Sequence, residues 1–321
     1  MKYSLRKRSV VSEGFNKTHL LKTSLSLYFK RFIATKLNMV NTETILKILS
    51  IKGVGRKTAL QLINRLPPGS NNDTELLDYL LNSGVKLDNG LINSGIAKAN
   101  SIISESMRLK ISFIDIHSPH YPRLLAEIND PPLVLSYKGD ISLLKSTCIA
   151  IIGAREGTTR GYTSSFTYGK MLAQNGYTVV SGLAKGCDRF AHEGCLEVNG
   201  KTIAVFGTPL DSVYPYENKK LANEILLKGG LLISESLIGD KITPGSFLLR
   251  NRIQIGICNR IIAIEPNPTG GTQKTIDLCL KNNRKVGCIV NNRKTMENVI
   301  NLSAKVQRLH NKNEVFKFLA E

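Results

Sequence analysis

Short loops that combine glycine with a cation recur in the second half of this 321-residue chain. Glycine leaves backbone amides uncovered, and open amides beside an arginine or lysine suit phosphate groups. The same glycines could serve only tight turns, but that use would not explain the accompanying cations. The candidate anion-binding residues in these loops are Gly153, Arg155, Ser181, Gly182, Lys185, Gly186 and Thr272.

The elements between these loops decide whether the candidate residues can meet. Apolar runs typical of strands occupy residues 148–153, 177–182, 201–207, 231–235, 260–265 and 285–290, and helical patterns occupy residues 161–175, 187–198, 217–228, 246–257 and 272–282. Repeated βα units predict an α/β fold with a doubly wound, Rossmann-like parallel sheet. Ligands of such sheets bind beyond the carboxyl ends of the strands, where all these loops would emerge. Residues 111–116 and 130–140 contain two further predicted strands.

The loop sequences argue against the common phosphate cofactors. The first loop reads GAREGTTRG and the second strand ends in Ser181, so both the GxGxxG fingerprint and the ribose carboxylate of a nicotinamide site are missing. The GxxxxGK[ST] loop of ATPases is absent as well. We therefore predict no cofactor.

Three polar residues, Arg250, Asn251 and Arg252, interrupt the otherwise apolar helical pattern of PGSFLLRNRIQIG. Buried arginines are costly unless paired, and Glu235 or Glu265 could be structural partners. Alternatively, one arginine braces the site while another meets a phosphate.

The N-terminal third has a different organisation. Residues 39–108 are predicted to form a small helical domain, with helices near residues 73–82 and 92–109 and a helix-hairpin-helix around Gly53, Gly55, Arg56 and Lys57. The hairpin amides could bind a nucleic-acid phosphate, or the hairpin could be purely structural. Residues 1–38 are basic, and we predict a disordered, dispensable tail, although a transit-like segment or an upstream extension would also fit.

Bulk composition points to a polyanionic partner. The net charge is +19 with a pI near 9.7, which favours nucleic acid, although the tail supplies a large part of the excess. No apolar run is long enough to span a membrane. Six scattered cysteines without a CxxC pair predict reduced core residues in a cytoplasmic protein, and the histidines show no metal spacing.

Long stretches of the chain resemble the DNA-processing protein A family (DprA, also called Smf). They read YPRLLAEINDPPLVLSYKGD, IAIIGAREGTTRGY, VVSGLAKGCDRFAH, TIAVFGTPLDSVYPYEN and RIIAIEPNPTGGTQKT, together with the segment around Arg250. The resemblance implies a cytoplasmic protein that binds single-stranded DNA on a Rossmann-like domain at residues 109–321, dimerises through that domain, helps load RecA recombinase in natural transformation and is not an enzyme. It carries over Arg155, Lys185, Asn218 and the triplet from Arg250 as DNA contacts, with Gly182 and Gly186 admitting a sugar-phosphate backbone.

Several departures and alternatives stay open. Lys185 stands where the family more usually has arginine, the loop at residues 269–275 is unusual, and Tyr216 could stack on a base or simply pack. Asp188 could orient Lys185, whereas Cys187 and His192 are predicted to be packing residues. Short C-terminal helices without the winged-helix domain of many relatives are expected. A phosphoribohydrolase-like enzyme using residues 270–272 with Asp277, or a nucleotide-sensing defence protein, are the alternative functions.

Overall fold

The computed structural model describes residues 40–67, 70, 72–267, 270–290, 297 and 304–321. The predicted tail at residues 1–38 and Thr269 of the unusual loop lie outside the described residues.

The N-terminal part is a group of helices around its own apolar core. The helices are α1 (Thr42–Ser50), α2 (Arg56–Arg65), α3 (Asp73–Leu81) and α4 (Asn89–Arg108). The side chains of Asn41, Asn72 and Asp88 accept hydrogen bonds from backbone amides in the first turns of α1, α3 and α4, which satisfies donors that a helix start leaves unpaired. Gly53, at φ +90°, makes the turn between α1 and α2, so the predicted hairpin is present.

The C-terminal part is built on one nine-stranded sheet. Its strands are β1 (Ser112–Asp115), β2 (Val134–Gly139), β3 (Cys148–Gly153), β4 (Thr178–Ser181), β5 (Thr202–Phe206), β6 (Leu231–Ser234), β7 (Arg260–Ile264), β8 (Lys285–Ile289) and β9 (Val306–Leu309), in the order β1-β2-β6-β5-β4-β3-β7-β8-β9. The seven strands from β6 to β9 in this order run parallel, whereas β1 and β2 are antiparallel to their neighbours.

Helices cover both faces of the sheet. They are α5 (Arg123–Ala126), α6 (Thr159–Gln174), α7 (Cys187–Glu197), α8 (Lys219–Leu227), α9 (Pro244–Gly256), α10 (Gly271–Lys281) and α11 (Lys312–Ala320), with 3₁₀ turns at Ile141–Lys145 and Tyr216–Asn218. The strands are apolar on both sides because one face packs under α9 and α10 and the other under α6, α7 and α11. The predicted doubly wound Rossmann-like sheet is confirmed.

The sheet extends further than the sequence patterns indicate. We did not predict β9, which adds a seventh parallel strand, because Gln307 and Arg308 interrupt its apolar run and only Val306 and Leu309 are buried. Such short edge strands leave a weak signal, since one partner strand and one covered face suffice to hold them.

The predicted packing residues are deeply buried. Cys187 and His192 are both 0% exposed, and burial lowers the pKa of His192 to about 3. All six cysteines are free and buried. Among the described helices, none combines the length and apolar composition required to cross a membrane.

Candidate nucleic-acid interface

Two adjoining cavities open at the carboxyl edge of the sheet. The large cavity, of about 540 Å³, lies between the β3 exit, α9 and the start of α10, and the small cavity, of about 210 Å³, lies between the β4 exit and α9. Arg155, Glu156, Ala184, Phe247 and Arg250 line both. The two cavities therefore share a wall that carries one exposed cation and one aromatic ring.

Arg155 is the exposed cation of this wall. It lies two residues after the end of β3, and its guanidinium carbon is 5.6 Å from the centroid of the Phe247 ring. Gly153, just before it, permits close packing of β3 on α7, since a Cβ at this position would lie 2.6 Å from the sulfur of Cys187. The backbone is thus anchored while the arginine side chain stays open to solvent.

Lys185 lies at the mouth of the small cavity. Its Nζ donates a hydrogen bond of 2.8 Å to Oε1 of Glu217, and both side chains are more than half exposed. This hydrogen bond lowers the pKa of Glu217. Solvent screens an exposed pair of this kind, so a phosphate can compete with Glu217 for the lysine.

Buried side chains that hydrogen-bond to its backbone hold the loop that carries Lys185. Asp188 accepts hydrogen bonds from the amides of Gly182 (3.1 Å) and Ala184 (3.4 Å), so it positions the loop, whereas Lys185 is held by Glu217 and not by Asp188, the one role for Asp188 that the sequence had left open. Burial raises the pKa of Asp188, and the charge of Arg250 opposes this.

Two predicted DNA contacts belong to this support. The Nδ2 atom of Asn218 donates to the carbonyls of Leu183 (2.8 Å) and Ala184 (3.3 Å), and the hydroxyl of Ser181 donates to Ile151 (2.7 Å). Both side chains are at least 99% buried and line neither cavity. Leu183 has a φ of +56°, a strained conformation for a leucine that the hydrogen bond from Asn218 helps to hold.

The reason for the two glycines of this loop differs from our expectation. A Cβ at Gly182 would overlap the guanidinium of Arg250, and a Cβ at Gly186, whose φ is +74°, would overlap the carbonyl oxygen of Arg155. The space that the glycines leave is therefore filled by the protein's own groups, not reserved for a sugar-phosphate backbone.

The polar triplet on α9 has a divided role. Arg250 is 5% exposed and donates through Nη1 to the carbonyls of Val205 (2.7 Å) and Gly182, so it braces the floor between the cavities. Burial lowers the pKa of Arg250, and Asp188 opposes this shift. Asn251 lines the large cavity and donates to the hydroxyl of Thr275 at 2.8 Å.

Arg252 points elsewhere and lines neither cavity. Its Nη2 lies 2.7 Å from both carboxylate oxygens of Glu235, and its Nε lies 3.3 Å from Asp130. Arg252 therefore takes the structural pairing with Glu235 that the sequence had left as one alternative.

The far wall of the large cavity is the start of α10. Gly270 caps the helix, Gly271 leaves open space around its Cα, and Thr272 and the exposed Lys274 line the cavity. First-turn amides and a lysine favour an anion here. We did not single out Lys274, although it lies two residues after Thr272.

Aromatic residues form the rim at the small cavity. Tyr214 is 56% exposed, and its ring centroid lies 5.1 Å from that of Phe247. Sequence reasoning missed both, although Phe247 lies three residues before Arg250 and so falls on the same face of α9. Tyr216, the aromatic that we did consider, is 74% exposed, lines neither cavity and has Lys219 Nζ 5.5 Å from its ring centroid.

The helix-hairpin-helix residues form a separate surface. Gly55, Arg56 and Lys57 line a different depression, together with Asp130. Arg56 donates to both oxygens of Asp130, at 3.1 and 2.5 Å, and lies 3.5 Å from Glu235. Its charge is thus engaged by two carboxylates, whereas Lys57 is exposed.

The residues proposed for an enzyme do not come together. Asp277 accepts a hydrogen bond of 2.8 Å from Gln273 and does not line the large cavity. Of the two carboxylates that do, Asp188 is occupied by backbone amides and Glu156 is exposed at the rim.

Comparison with known proteins identifies the family. The profile described as DNA recombination-mediator protein A matches residues 112–319. Protein Smf of Synechocystis is 38% identical over 193 residues, which are 59% of this chain and 48% of that relative, so the match spans about half the relative's length. DNA processing protein DprA of Streptococcus pneumoniae is 35% identical over 234 residues, or 72% of this chain and 82% of the relative.

Solved structures agree with the sequence comparison. The X-ray structure of DprA from Streptococcus pneumoniae aligns with a TM-score of 0.65 and 27% identity, covering 89% of this chain and 96% of that one. DprA from Helicobacter pylori, from a study of its single-stranded DNA binding mode, aligns with a TM-score of 0.59 and 27% identity, covering 66% of this chain and 96% of that one. The chain therefore belongs to the DNA recombination-mediator protein A family, the DprA/Smf proteins.

Proposed function

We propose that this chain binds single-stranded DNA across the two cavities at the carboxyl edge of the sheet. The observation that carries the proposal is the shared wall, where the exposed Arg155 stands against Phe247 between two openings. Arg155, Lys185 and Lys274 would meet successive phosphates, and the first-turn amides of α10 would add a further anion site.

The geometry favours an unpaired strand over a duplex. Phe247 and Tyr214 offer ring surface beside the cations, and stacking on such rings contributes about 1 to 3 kcal/mol per base. A base can reach a ring or enter a cavity only when it is free of its partner strand. DprA from Helicobacter pylori, which was solved in a study of its single-stranded DNA binding mode, supports single-stranded DNA as the ligand.

We further propose that the bound strand is handed to a RecA-type recombinase during recombination or natural transformation, that the chain acts in the cytoplasm as a homodimer, and that it binds DNA without catalysing a reaction. The family's description as a recombination mediator supports the first part. RecA ATP hydrolysis on DNA coated with single-strand-binding protein should begin after a shorter lag when this protein is added. Nucleoside monophosphates should release no free base on incubation.

The DNA-binding proposal is tested by fluorescence anisotropy with matched single-stranded and duplex oligonucleotides over a salt series. We expect much tighter binding of the single strand. Arg155→Ala and Lys185→Ala should each lower the slope of log affinity against log salt by about 0.7, the value for one lost phosphate contact on a single strand.

A matched control is Arg123→Ala. Arg123 is 89% exposed, pairs only with Glu127 at 3.0 Å among the described residues and lines neither cavity. Its removal should leave the slope unchanged. Equal affinity for both DNA forms, or an unchanged slope in Arg155→Ala, would overturn the proposed site.

A further inference from the structure

A glutamate with a strained backbone conformation lies at the exit of β7. Glu265 follows β7 directly and has a φ of +46°, in the left-handed region that favours glycine. Such a conformation persists only where surrounding contacts hold it, and it is common beside functional sites. Glu265 lines neither cavity, so the contacts of its side chain indicate what the strain serves.

The carboxylate of Glu265 contacts the start of α6. Its Oε2 accepts a hydrogen bond of 2.8 Å from the backbone amide of Thr158, and its Oε1 accepts one of 2.5 Å from the hydroxyl of the same residue. Thr158 is the N-cap of α6, and its hydroxyl oxygen accepts from the amide of Gly161 at 3.1 Å. A carboxylate near a helix N-terminus is also favoured by the helix dipole. Glu265 thus joins the exit of β7 to the start of α6.

Two glycines leave the space that this carboxylate fills. A Cβ at Gly161 would overlap the carboxylate of Glu265, and a Cβ at Gly157 would lie 3.0 Å from its Oε2. Both glycines belong to the loop GAREGTTRG, whose composition suggested an anion site. The second half of this loop is therefore shaped around a carboxylate of the protein itself.

The same loop carries Arg155, three residues before Thr158. The hydroxyl of Tyr162 accepts from the amide of Gly157 at 2.8 Å and donates to the carbonyl of Arg155 at 3.3 Å. Tyr162 and Glu265 therefore hold the backbone at the two ends of this segment, while the side chain of Arg155 stays exposed. A backbone that is already ordered loses less conformational entropy when the arginine meets a phosphate.

We propose that Glu265 is a positioning residue for Arg155: by holding the start of α6, its carboxylate fixes the loop from which Arg155 contacts a phosphate of the bound strand. The inference rests on the proposed binding of single-stranded DNA and adds to it a residue that does not contact the DNA. The charge of a carboxylate opposes the binding of a polyanion. A loss of affinity when Glu265 is removed therefore reports lost positioning.

The test measures the affinity of the full-length protein for a single-stranded thymidine oligomer by fluorescence anisotropy. Glu265→Ala removes both contacts to Thr158 and should bind about fivefold more weakly. Glu265→Gln can keep both contacts, because its carbonyl accepts from the amide of Thr158 and its NH₂ group donates to the hydroxyl. This variant should bind at least as tightly as the unaltered protein. If it bound as weakly as Glu265→Ala, the effect would belong to the charge and the positioning role would be overturned.

Urea unfolding separates positioning from a role in folding alone. Glycine adopts a φ of +46° without strain, so Glu265→Gly should be more stable than Glu265→Ala, although both variants should bind DNA equally weakly. A folding role predicts instead that affinity follows stability, with Glu265→Gly binding more tightly than Glu265→Ala. That result would overturn the proposal.

A double-mutant cycle tests whether Glu265 acts through Arg155. In the Arg155→Ala background, Glu265→Ala should cause no further loss of affinity, whereas residues that act independently would add their losses. The matched control is Glu105→Ala, since Glu105 pairs with Arg108 on α4 and lines neither cavity; it should bind as the unaltered protein does. Full additivity of the two losses would overturn the inference and leave the proposed DNA binding intact. Failure of the unaltered protein to bind the oligomer would overturn both.

Discussion

The sheet edge and the helix-hairpin-helix each contain a glycine followed closely by an arginine, but only in the hairpin is the arginine paired with carboxylates. At the sheet edge, Arg155 follows Gly153 and stays exposed. In the hairpin, Arg56 follows Gly55 and lies against Asp130 and Glu235. A glycine followed closely by an arginine is therefore a candidate phosphate site only where no carboxylate contacts the arginine first. In the hairpin these carboxylates lie 74 and 179 residues further along the chain.

The hairpin cluster has a structural role that follows from its composition. Asp130 and Glu235 each contact both Arg56 and Arg252, so two arginines and two carboxylates join the N-terminal helices to β6 and α9. Removing one member of such a network leaves the opposite charges of the remaining members partly buried without a partner, which lowers the free energy of unfolding. We therefore expect substitutions there to act on folding, and substitutions at the sheet edge to act on binding.

The largest effect that this comparison predicts is on stability in Arg252→Ala. The side chain of Arg252 is 7% exposed and contacts both carboxylate oxygens of Glu235. Removing the arginine leaves the partly buried carboxylate of Glu235 without this partner. The free energy of unfolding should fall by about 3 kcal/mol. Urea denaturation measures this, and the salt slope for DNA, taken under conditions where the variant is folded, should not change.

Arg123→Ala serves again as the control, since its exposed pair with Glu127 should cost less than about 1 kcal/mol. If Arg252→Ala were as stable as Arg123→Ala but bound DNA with a reduced salt slope, Arg252 would act in DNA binding, and the hairpin cluster would not be the purely structural region that we describe.

A smaller effect is expected from Asp130→Asn, and it should depend on pH. Partial burial would raise the pKa of Asp130, but hydrogen bonds and charge from Arg56 and Arg252 outweigh it and hold the pKa below its usual 3.8. The carboxylate therefore stabilises the fold above this pH, and the contribution is lost as the pH falls through the lowered pKa.

Unfolding of both proteins by urea at several pH values checks this. The variant should be about 1 kcal/mol less stable at neutral pH, and the difference should shrink below about pH 4. A difference that stayed constant down to pH 2 would show that the charge of Asp130 contributes nothing.

Features of the fold and the site that depend on residues close together in the chain were predictable from the sequence, whereas features that depend on distant residues were not. The bounds of β3 and the alternation of strands and helices can be read from local patterns of apolar residues. These patterns predicted the parallel sheet and the edge of the sheet at which the loops meet. The exposure of Arg155 and Lys185 at this edge agrees with their position in the loops that leave β3 and β4.

What the sequence did not reveal depends on residues that are distant along the chain. The contact of Arg252 with Asp130 joins residues that lie 122 positions apart in the chain. Asn218 and Ser181 were assigned to DNA because they fit a family pattern, yet their contacts are with carbonyls of residues 151, 183 and 184. A match to a family motif therefore does not distinguish residues that shape a loop from residues that contact a ligand.

The smallest predicted effect concerns Lys185, which pairs with the carboxylate of Glu217 as Arg56 of the hairpin pairs with Asp130. Its contact with Glu217 resembles that of Arg56 with Asp130, but here both groups are exposed and solvent screens the pair. Glu217→Gln should therefore raise affinity for single-stranded DNA by about twofold, because Lys185 no longer has to give up its contact with a carboxylate before it binds a phosphate. Anisotropy at low salt measures this, and Lys185→Ala combined with Glu217→Gln should abolish the gain. A loss of affinity in Glu217→Gln would mean that the carboxylate holds Lys185 in place for the phosphate, and that an acidic partner can assist a binding cation as well as occupy it.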